Sequence, residues 1–134
     1  MAIKPGMFDG EVENKFELLP EGVYKGQVSN LEMRTSKNGN DYLNIEFTLE
    51  NKRKVWDRLM WHTDKCIDVT KGKLEALGFS RDERKKITSE KVMQDAVNYM
   101  VDGKIYNVHV GIKDDNNVVK YVTLNEEETG DAPW

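Results

Sequence analysis

Three alternating residues of one short segment combine the two kinds of side chain that bind unpaired nucleic acid. Lys54, Trp56 and Arg58 recur with period two, so in a β-strand they share a face and the indole lies between two cations. Cations attract phosphates, and flat rings stack on unpaired bases with about 1–3 kcal/mol per base. In the segment before, Tyr42 and Asn44 alternate with apolar residues. We therefore expect these five side chains to form a platform for a single strand.

Further charged residues are expected around this platform. Arg34 and Lys37 fall in the first predicted loop, and Lys52 and Arg53 fall in the next one, where their charges would follow the phosphate backbone. Glu46 lies on the platform's own face and opposes phosphate binding unless it pairs with a cation across the sheet.

For two tryptophans the sequence leaves two roles open, packing in the core or stacking on bases. Trp56 alternates with apolar residues, whereas Trp61 shares a face with Val55 and Leu59, which favours packing. We keep both tryptophans as candidates. The predicted DNA-binding set is Arg34, Lys37, Tyr42, Asn44, Lys52, Arg53, Lys54, Trp56, Arg58 and Trp61.

The elements that must hold the platform begin after an irregular segment, residues 1–21, which prolines and glycines interrupt. Period-two alternation starts at Gly22, and its parity slips near Ser29-Asn30, which indicates a bulge. Asn38-Gly39 then predicts a tight hairpin turn with positive φ at both residues. A second strand and a third, residues 53–61, complete an antiparallel meander. The second strand is expected to bury Leu43, Ile45, Phe47 and Leu49.

A helical period of 3.6 follows the meander. We expect a first helix capped by Asp64 or Thr70, a charged connection at 81–86, and a second helix capped by Thr88 or Ser89. Strand patterns return at 104–113 and 118–124 around a turn at 114–117. Three strands, a helical insertion and two strands are the order of an OB-fold. The sequence therefore predicts a mainly β, five-stranded OB-fold barrel over residues 22–125, with the helical insertion between strands 3 and 4.

Residues 126–134 form an acidic segment without apolar periodicity, which indicates a solvated tail. Its aromatic end is suited to capturing partner proteins. The partner-binding residues that we predict here are Glu126, Glu127, Glu128, Asp131 and Trp134.

The net charge of −4 is unevenly distributed along the chain. Residues 1–21 contain two of the 20 Lys and Arg and five of the 24 Asp and Glu. Residues 22–125 contain 18 Lys and Arg and 15 Asp and Glu, and residues 126–134 contain the other four acidic residues. The central part is therefore mildly basic between acidic ends, which is compatible with strand binding.

Several function classes are disfavoured by the sequence. Apolar runs are too short for a membrane span, and the single cysteine, Cys66, suits a reducing cytoplasm. Cys66, His62 and His109 lack the paired spacing of a metal site, and no phosphate-binding loop or nucleophile elbow is present. We expect neither an enzyme nor a cofactor nor a metal.

Several short stretches resemble a family of small phage-encoded proteins that is catalogued as a domain of unknown function and regarded as single-stranded-DNA-binding OB-folds. The stretches that carry the resemblance are 19–24, 36–47, 54–57, 74–79 and 103–108. The acidic segment that ends in an aromatic is also similar to phage replication proteins that coat single strands, although there the last residue is usually Phe.

The resemblance and the platform together predict single-stranded DNA binding without sequence preference, in phage replication, recombination or repair in the cytoplasm of the bacterial host. The tail would recruit replication or recombination proteins and compete with DNA. A homodimer is an open alternative for the oligomeric state. The alternative function is an OB-like adaptor, or an inhibitor of a host enzyme, that never binds DNA.

Overall fold

The computed structural model describes Pro5, Met7 and residues 18–125. Helices lie between the third and fourth strands of this part, so the predicted mainly β fold with a helical insertion is confirmed. No helix in residues 18–125 is long and apolar enough to cross a membrane. The elements are β1 (Gly22–Thr35), β2 (Asp41–Leu49), β3 (Lys54–Met60), α1 (Asp64–Leu77), α2 (Arg81–Lys85), α3 (Glu90–Val101), β4 (Tyr106–Lys113) and β5 (Asn116–Leu124).

The five strands form one antiparallel sheet in the order β3-β2-β1-β4-β5. The long β1 pairs with β4 through 22–26 and with β2 through 26–35. Gly26 belongs to both ladders, and a Cβ added there would lie 3.0 Å from side-chain atoms of Leu49 and Val108. A larger residue where the two ladders meet would therefore have to displace these side chains.

Of the two features predicted for β1 and the turn after it, the bulge is confirmed and the turn type is wrong. The β1–β2 register shifts between Val28 and Asn30, which confirms the predicted bulge. In the turn, Gly39 has a φ of 81° but Asn38 does not have a positive φ, so the predicted turn with two positive φ angles is wrong. The loop is wider than two residues, and the Gly39 N–H donates to the Ser36 carbonyl.

The sheet does not close into the predicted barrel. The edge strands β3 and β5 approach each other, but they share no hydrogen-bonded ladder within residues 18–125. Helix α1 covers this seam, where Lys73 Nζ donates to Asp57 Oδ1 and to the Arg58 carbonyl, both at 2.9 Å. A helix side chain thus satisfies a carbonyl of β3 that a closed barrel would pair with β5.

The inner face of the sheet packs against α1 and α3 as one apolar core. Tyr106 lies inside this core, edge-on to Phe47, and its hydroxyl donates to the Leu77 carbonyl at 2.8 Å. Burial raises the pKa of Tyr106 above its ordinary value. The four apolar residues predicted to point inward from β2 are 0–1% exposed, so this expectation is confirmed for Leu43, Ile45, Phe47 and Leu49.

The helix caps differ in part from the expected ones. Thr63 caps α1 and accepts a hydrogen bond from the Cys66 N–H, so neither Asp64 nor Thr70 is the cap. Thr70 is instead buried and hydrogen-bonds to the backbone at the end of β3. Ser89, one of the two expected residues, caps α3.

The charged connection expected at 81–86 contains a short helix, α2. Ser80 and Glu83 form a reciprocal capping box, in which the Glu83 carboxylate accepts from the Ser80 N–H and the Ser80 hydroxyl accepts from the Glu83 N–H. These bonds with Ser80 hold the pKa of Glu83 below its ordinary value. The helix has no buried residue, so it produces no apolar periodicity in the sequence.

Candidate functional site

Strand β3 presents its charged and aromatic residues on the outer face of the sheet. Val55 and Leu59 are buried on the inner face, whereas Lys54, Trp56 and Arg58 alternate with them and are exposed. The Trp56 side chain is 52% exposed. The structure thus resolves the alternative for Trp56: it is not a core residue, and its ring is accessible to a ligand.

Strand β2 supplies the second row of this face. Asn44 pairs with Arg58 across the hairpin, and Glu46 pairs with Trp56. The Arg58 guanidinium carbon lies 5.2 Å from the centroid of the Tyr42 ring, within the range of a cation–π contact. This contact places the Arg58 guanidinium over the ring of Tyr42.

A groove of about 870 Å³ runs along this face and ends at the β4–β5 hairpin. It lies between the outer face of β2 and β3 on one side and the start of β5 on the other. Four of the predicted residues line it. Its lining includes Arg34, Asn44, Trp56, Arg58, Lys73 and Lys113.

The two carboxylates in the groove are paired with lysines. Glu46 lies 3.8 Å from Lys54 Nζ and accepts a hydrogen bond from the Ser29 hydroxyl at 2.7 Å. Asp57 lies 2.9 Å from Lys73 Nζ, with both side chains largely covered. The condition set for Glu46, that it pair with a cation across the sheet, is therefore met. Pairing removes most of the repulsion that these carboxylates would exert on a phosphate.

Two cations of the groove remain without a carboxylate partner in residues 18–125, namely Arg58 and Lys113. Arg34 is different, because its guanidinium lies 2.9 Å from Glu32 and this hydrogen bond raises the pKa of Arg34. The groove therefore carries net positive charge, which is concentrated at Arg58 and Lys113.

The other basic residues of the predicted set lie outside the groove lining. Lys37 belongs to the β1–β2 loop at one end of the β2–β3 hairpin, and Lys52 and Arg53 belong to the turn at the other end. Trp61 follows the last residue of β3 and is partly buried against the core. The predicted tail residues Glu126, Glu127, Glu128, Asp131 and Trp134 lie outside the described residues.

Two lysines of the groove were not predicted as site residues. Lys113 ends β4 just before the hairpin turn, and the order of strands was the one signal that would have brought this turn beside β2 and β3. Lys73 comes from α1, and its contacts with Asp57 and with the Arg58 carbonyl connect it to the groove. Asn117 shares this edge and binds both the N–H and the carbonyl of Leu19.

The sequence was also compared with known proteins. No curated protein matches it. A family model described as "Protein of unknown function (DUF669)" matches residues 7–133, which is nearly the whole chain. The chain therefore belongs to the DUF669 family.

Proposed function

We propose that this protein binds single-stranded DNA without sequence preference through the groove on β2 and β3. The observation that carries the proposal is the exposed indole of Trp56, held between Lys54 and Arg58 on one face. Stacking on this ring accepts any base, and the cations contact phosphates that every sequence shares. The adjoining groove extends the positive charge to Lys113.

The arrangement also supports a finer fold proposal, an OB-fold with an open seam. OB-folds bind oligonucleotides on strands 2 and 3 and on the loops between strands 1 and 2 and strands 4 and 5. Arg34, near the end of β1, and Lys113, at the β4–β5 hairpin, border the groove in corresponding places. The bulged β1 favours the same fold, because bulges bend strands around barrel corners.

We further propose that the protein acts in phage DNA replication, recombination or repair in the cytoplasm of the bacterial host. Residues 126–134, with four carboxylates and one indole, would recruit replication or recombination proteins. The same carboxylates would compete with the strand for the groove, since the chain connection keeps their effective concentration high.

A titration with oligo-dT tests the binding proposal. The protein should bind oligo-dT more tightly than duplex DNA of equal length, and affinity should fall steeply as salt rises, because bound phosphates release counterions. Tryptophan fluorescence and fluorescence anisotropy measure both. Absence of binding at low salt would reject the proposal and favour an adaptor that does not bind DNA.

Deletion of residues 126–134 tests the competition separately. The shortened protein should bind oligo-dT more tightly, most visibly at low salt, where charges are least screened. Trp134→Ala in the full chain serves as the comparison, because it keeps all four carboxylates and should therefore not gain affinity as the shortened chain does. Equal affinities for the full and shortened chains would refute the competition while leaving the groove in place.

A further inference from the structure

A second concavity lies on the helical side of the molecule. It has a volume of about 480 Å³ between α1, α2 and the start of α3. Its floor is apolar and includes Ile67, which is 37% exposed although it is a large aliphatic residue. We call it the helical pocket. Its floor is formed by Trp61, Ile67, Leu74, Ile87 and Met93.

The rim of the helical pocket is basic and consists of Lys71, Arg81, Arg84 and Lys85. Lys71 lies 3.6 Å from Asp68, and Arg84 lies 3.5 Å from Glu75. Arg81 and Lys85 have no ion-pair partner in the part of the chain that the structure describes. An apolar floor with unpaired cations at its edge suits a ligand that combines an aromatic ring with carboxylates.

We propose that residues 126–134 of this chain dock in the helical pocket. This segment carries four carboxylates and one indole and no basic residue, so its charge is complementary to the rim. The indole of Trp134 would cover Ile67 and Ile87 on the floor, and the carboxylates would meet Arg81 and Lys85.

The groove on β2 and β3 is the more polar of the two, because its apolar lining residues Met60, Val118 and Val119 lie among charged side chains. Trp56 projects there as an exposed ring, and two lysines already pair with the carboxylates of the groove. The helical pocket offers both charge and an apolar floor. The segment then competes with a strand for the groove only in those molecules in which it has left the helical pocket. This inference does not depend on DNA binding.

The chain leads into this segment from the end of β5, beside the start of β4. Leu124, at the end of β5, pairs with Tyr106, whose hydroxyl contacts the carbonyl of Leu77 at the end of α1. Leu74, about one turn earlier in α1, belongs to the pocket floor. Nine extended residues span at most about 30 Å, which exceeds the length of the whole of α1, about 21 Å.

Methyl NMR of the full chain without DNA tests the proposal. With isoleucine δ1 methyls labelled, Trp134→Ala should shift the signals of Ile67 and Ile87, because an aromatic ring no longer lies over them. The core residue Ile45 should keep its signal and thereby report an intact fold. Raising the salt concentration in the unmutated chain should move Ile67 and Ile87 toward their positions in Trp134→Ala, because screening weakens the docking.

Charge reversal at the rim of the helical pocket is the decisive experiment. With Arg81→Glu and Lys85→Glu combined, adding Trp134→Ala should no longer move the two pocket methyls, since the segment is already released. The matched control, Lys52→Glu with Lys113→Glu, makes the same charge change outside the pocket and should preserve their response. Unmoved Ile67 and Ile87 signals in Trp134→Ala would overturn the proposal, as would an equal loss of response in both double variants. Neither result bears on DNA binding, which oligo-dT titration measures separately.

Discussion

Trp56 and Trp61 lie five residues apart and have opposite surroundings. Trp56 is 52% exposed among cations on the outer face of the sheet, whereas Trp61 is partly buried and forms part of an apolar floor beside the helices. β3 ends at Met60, so Trp61 has already left the strand. Alternation along a strand therefore assigns a face, but the elements packed on that face decide whether a ring is exposed or covered.

The same contrast extends to the two faces of the β2–β3 hairpin. The inner face carries the fully buried apolar core, and the outer face carries the groove with its cations. Substitutions on the inner face should therefore act on the free energy of unfolding, and those on the outer face on the free energy of binding.

The largest effect is expected from Phe47→Ala on the inner face. Phe47 is 0% exposed and contacts Tyr106 edge-on, so truncation leaves a cavity in the core. Such a change costs about 3–5 kcal/mol of the free energy of unfolding. Urea denaturation monitored by circular dichroism measures it. A loss below about 1 kcal/mol would mean that this face is not the core of the folded protein.

The next effect separates the two tryptophans. Trp56→Ala should weaken oligo-dT binding by about 1–3 kcal/mol and cost only about 1 kcal/mol of the free energy of unfolding, since about half of this residue remains in water. Trp61→Ala should do the reverse, destabilising the fold while leaving binding to the folded protein unchanged. Titrations and urea melts of both variants check this. If Trp61→Ala weakens binding as much as Trp56→Ala, the DNA site reaches the helical side.

Tyr106→Phe concerns the one phenol enclosed by the inner face. At pH 7 the variant loses the hydrogen bond to the Leu77 carbonyl, which costs about 1 kcal/mol. Burial raises the pKa of Tyr106, so the folded state holds the phenol proton more tightly than the unfolded state. The stabilisation is complete below the unfolded pKa of about 10 and is lost as the pH rises above it.

Urea melts of the unmutated chain and of Tyr106→Phe between pH 7 and 11 measure this dependence. The stability advantage of the unmutated chain should shrink above pH 10 because Phe does not titrate. Titration of other groups cancels in the difference between the two chains. A constant difference over the whole range would show that the phenol ionises as easily in the folded state as in the unfolded one.

The sequence predicted the strands well because their alternation follows directly from one buried and one solvated face. The burial of β2 residues and the bulge in β1 are examples. The sequence did not predict α2, whose exposed residues leave no apolar pattern, or the open seam. At the seam Lys73 donates to the Arg58 carbonyl, a contact between residues 15 positions apart that no local pattern encodes.

The residues that line the groove were predicted where a single hairpin supplies them and missed where distant segments contribute. Trp56 and Arg58 follow from alternation along β3, and their shared face is local. Lys113 joins the groove because β5 folds back beside β3, which no local pattern encodes. The sequence did not predict whether Glu46 pairs with a cation such as Lys54. Alternation shows that the two residues share a face, but it does not give the register between the strands.

The smallest effect concerns the charge state of the outer face itself. Arg58→Ala should reduce the salt dependence of oligo-dT binding by about one phosphate. Glu46→Gln should do the opposite, because it frees the Lys54 ammonium, which lies 3.8 Å from the carboxylate, to contact a phosphate. In the unmutated chain the Glu46 carboxylate accepts a hydrogen bond from Ser29 Oγ at 2.7 Å. The amide oxygen of Gln can accept the same bond, so the fold should be retained.

Affinities measured over a range of salt concentrations compare Glu46→Gln with Glu46→Gln combined with Lys54→Ala. The single variant should bind more tightly at low salt and with a steeper slope, and the double variant should lose both gains. Unchanged affinity and slope in Glu46→Gln would place Lys54 beyond the path of the strand. The DNA contacts of β3 would then be confined to Trp56 and Arg58, the part of the outer face that lines the groove.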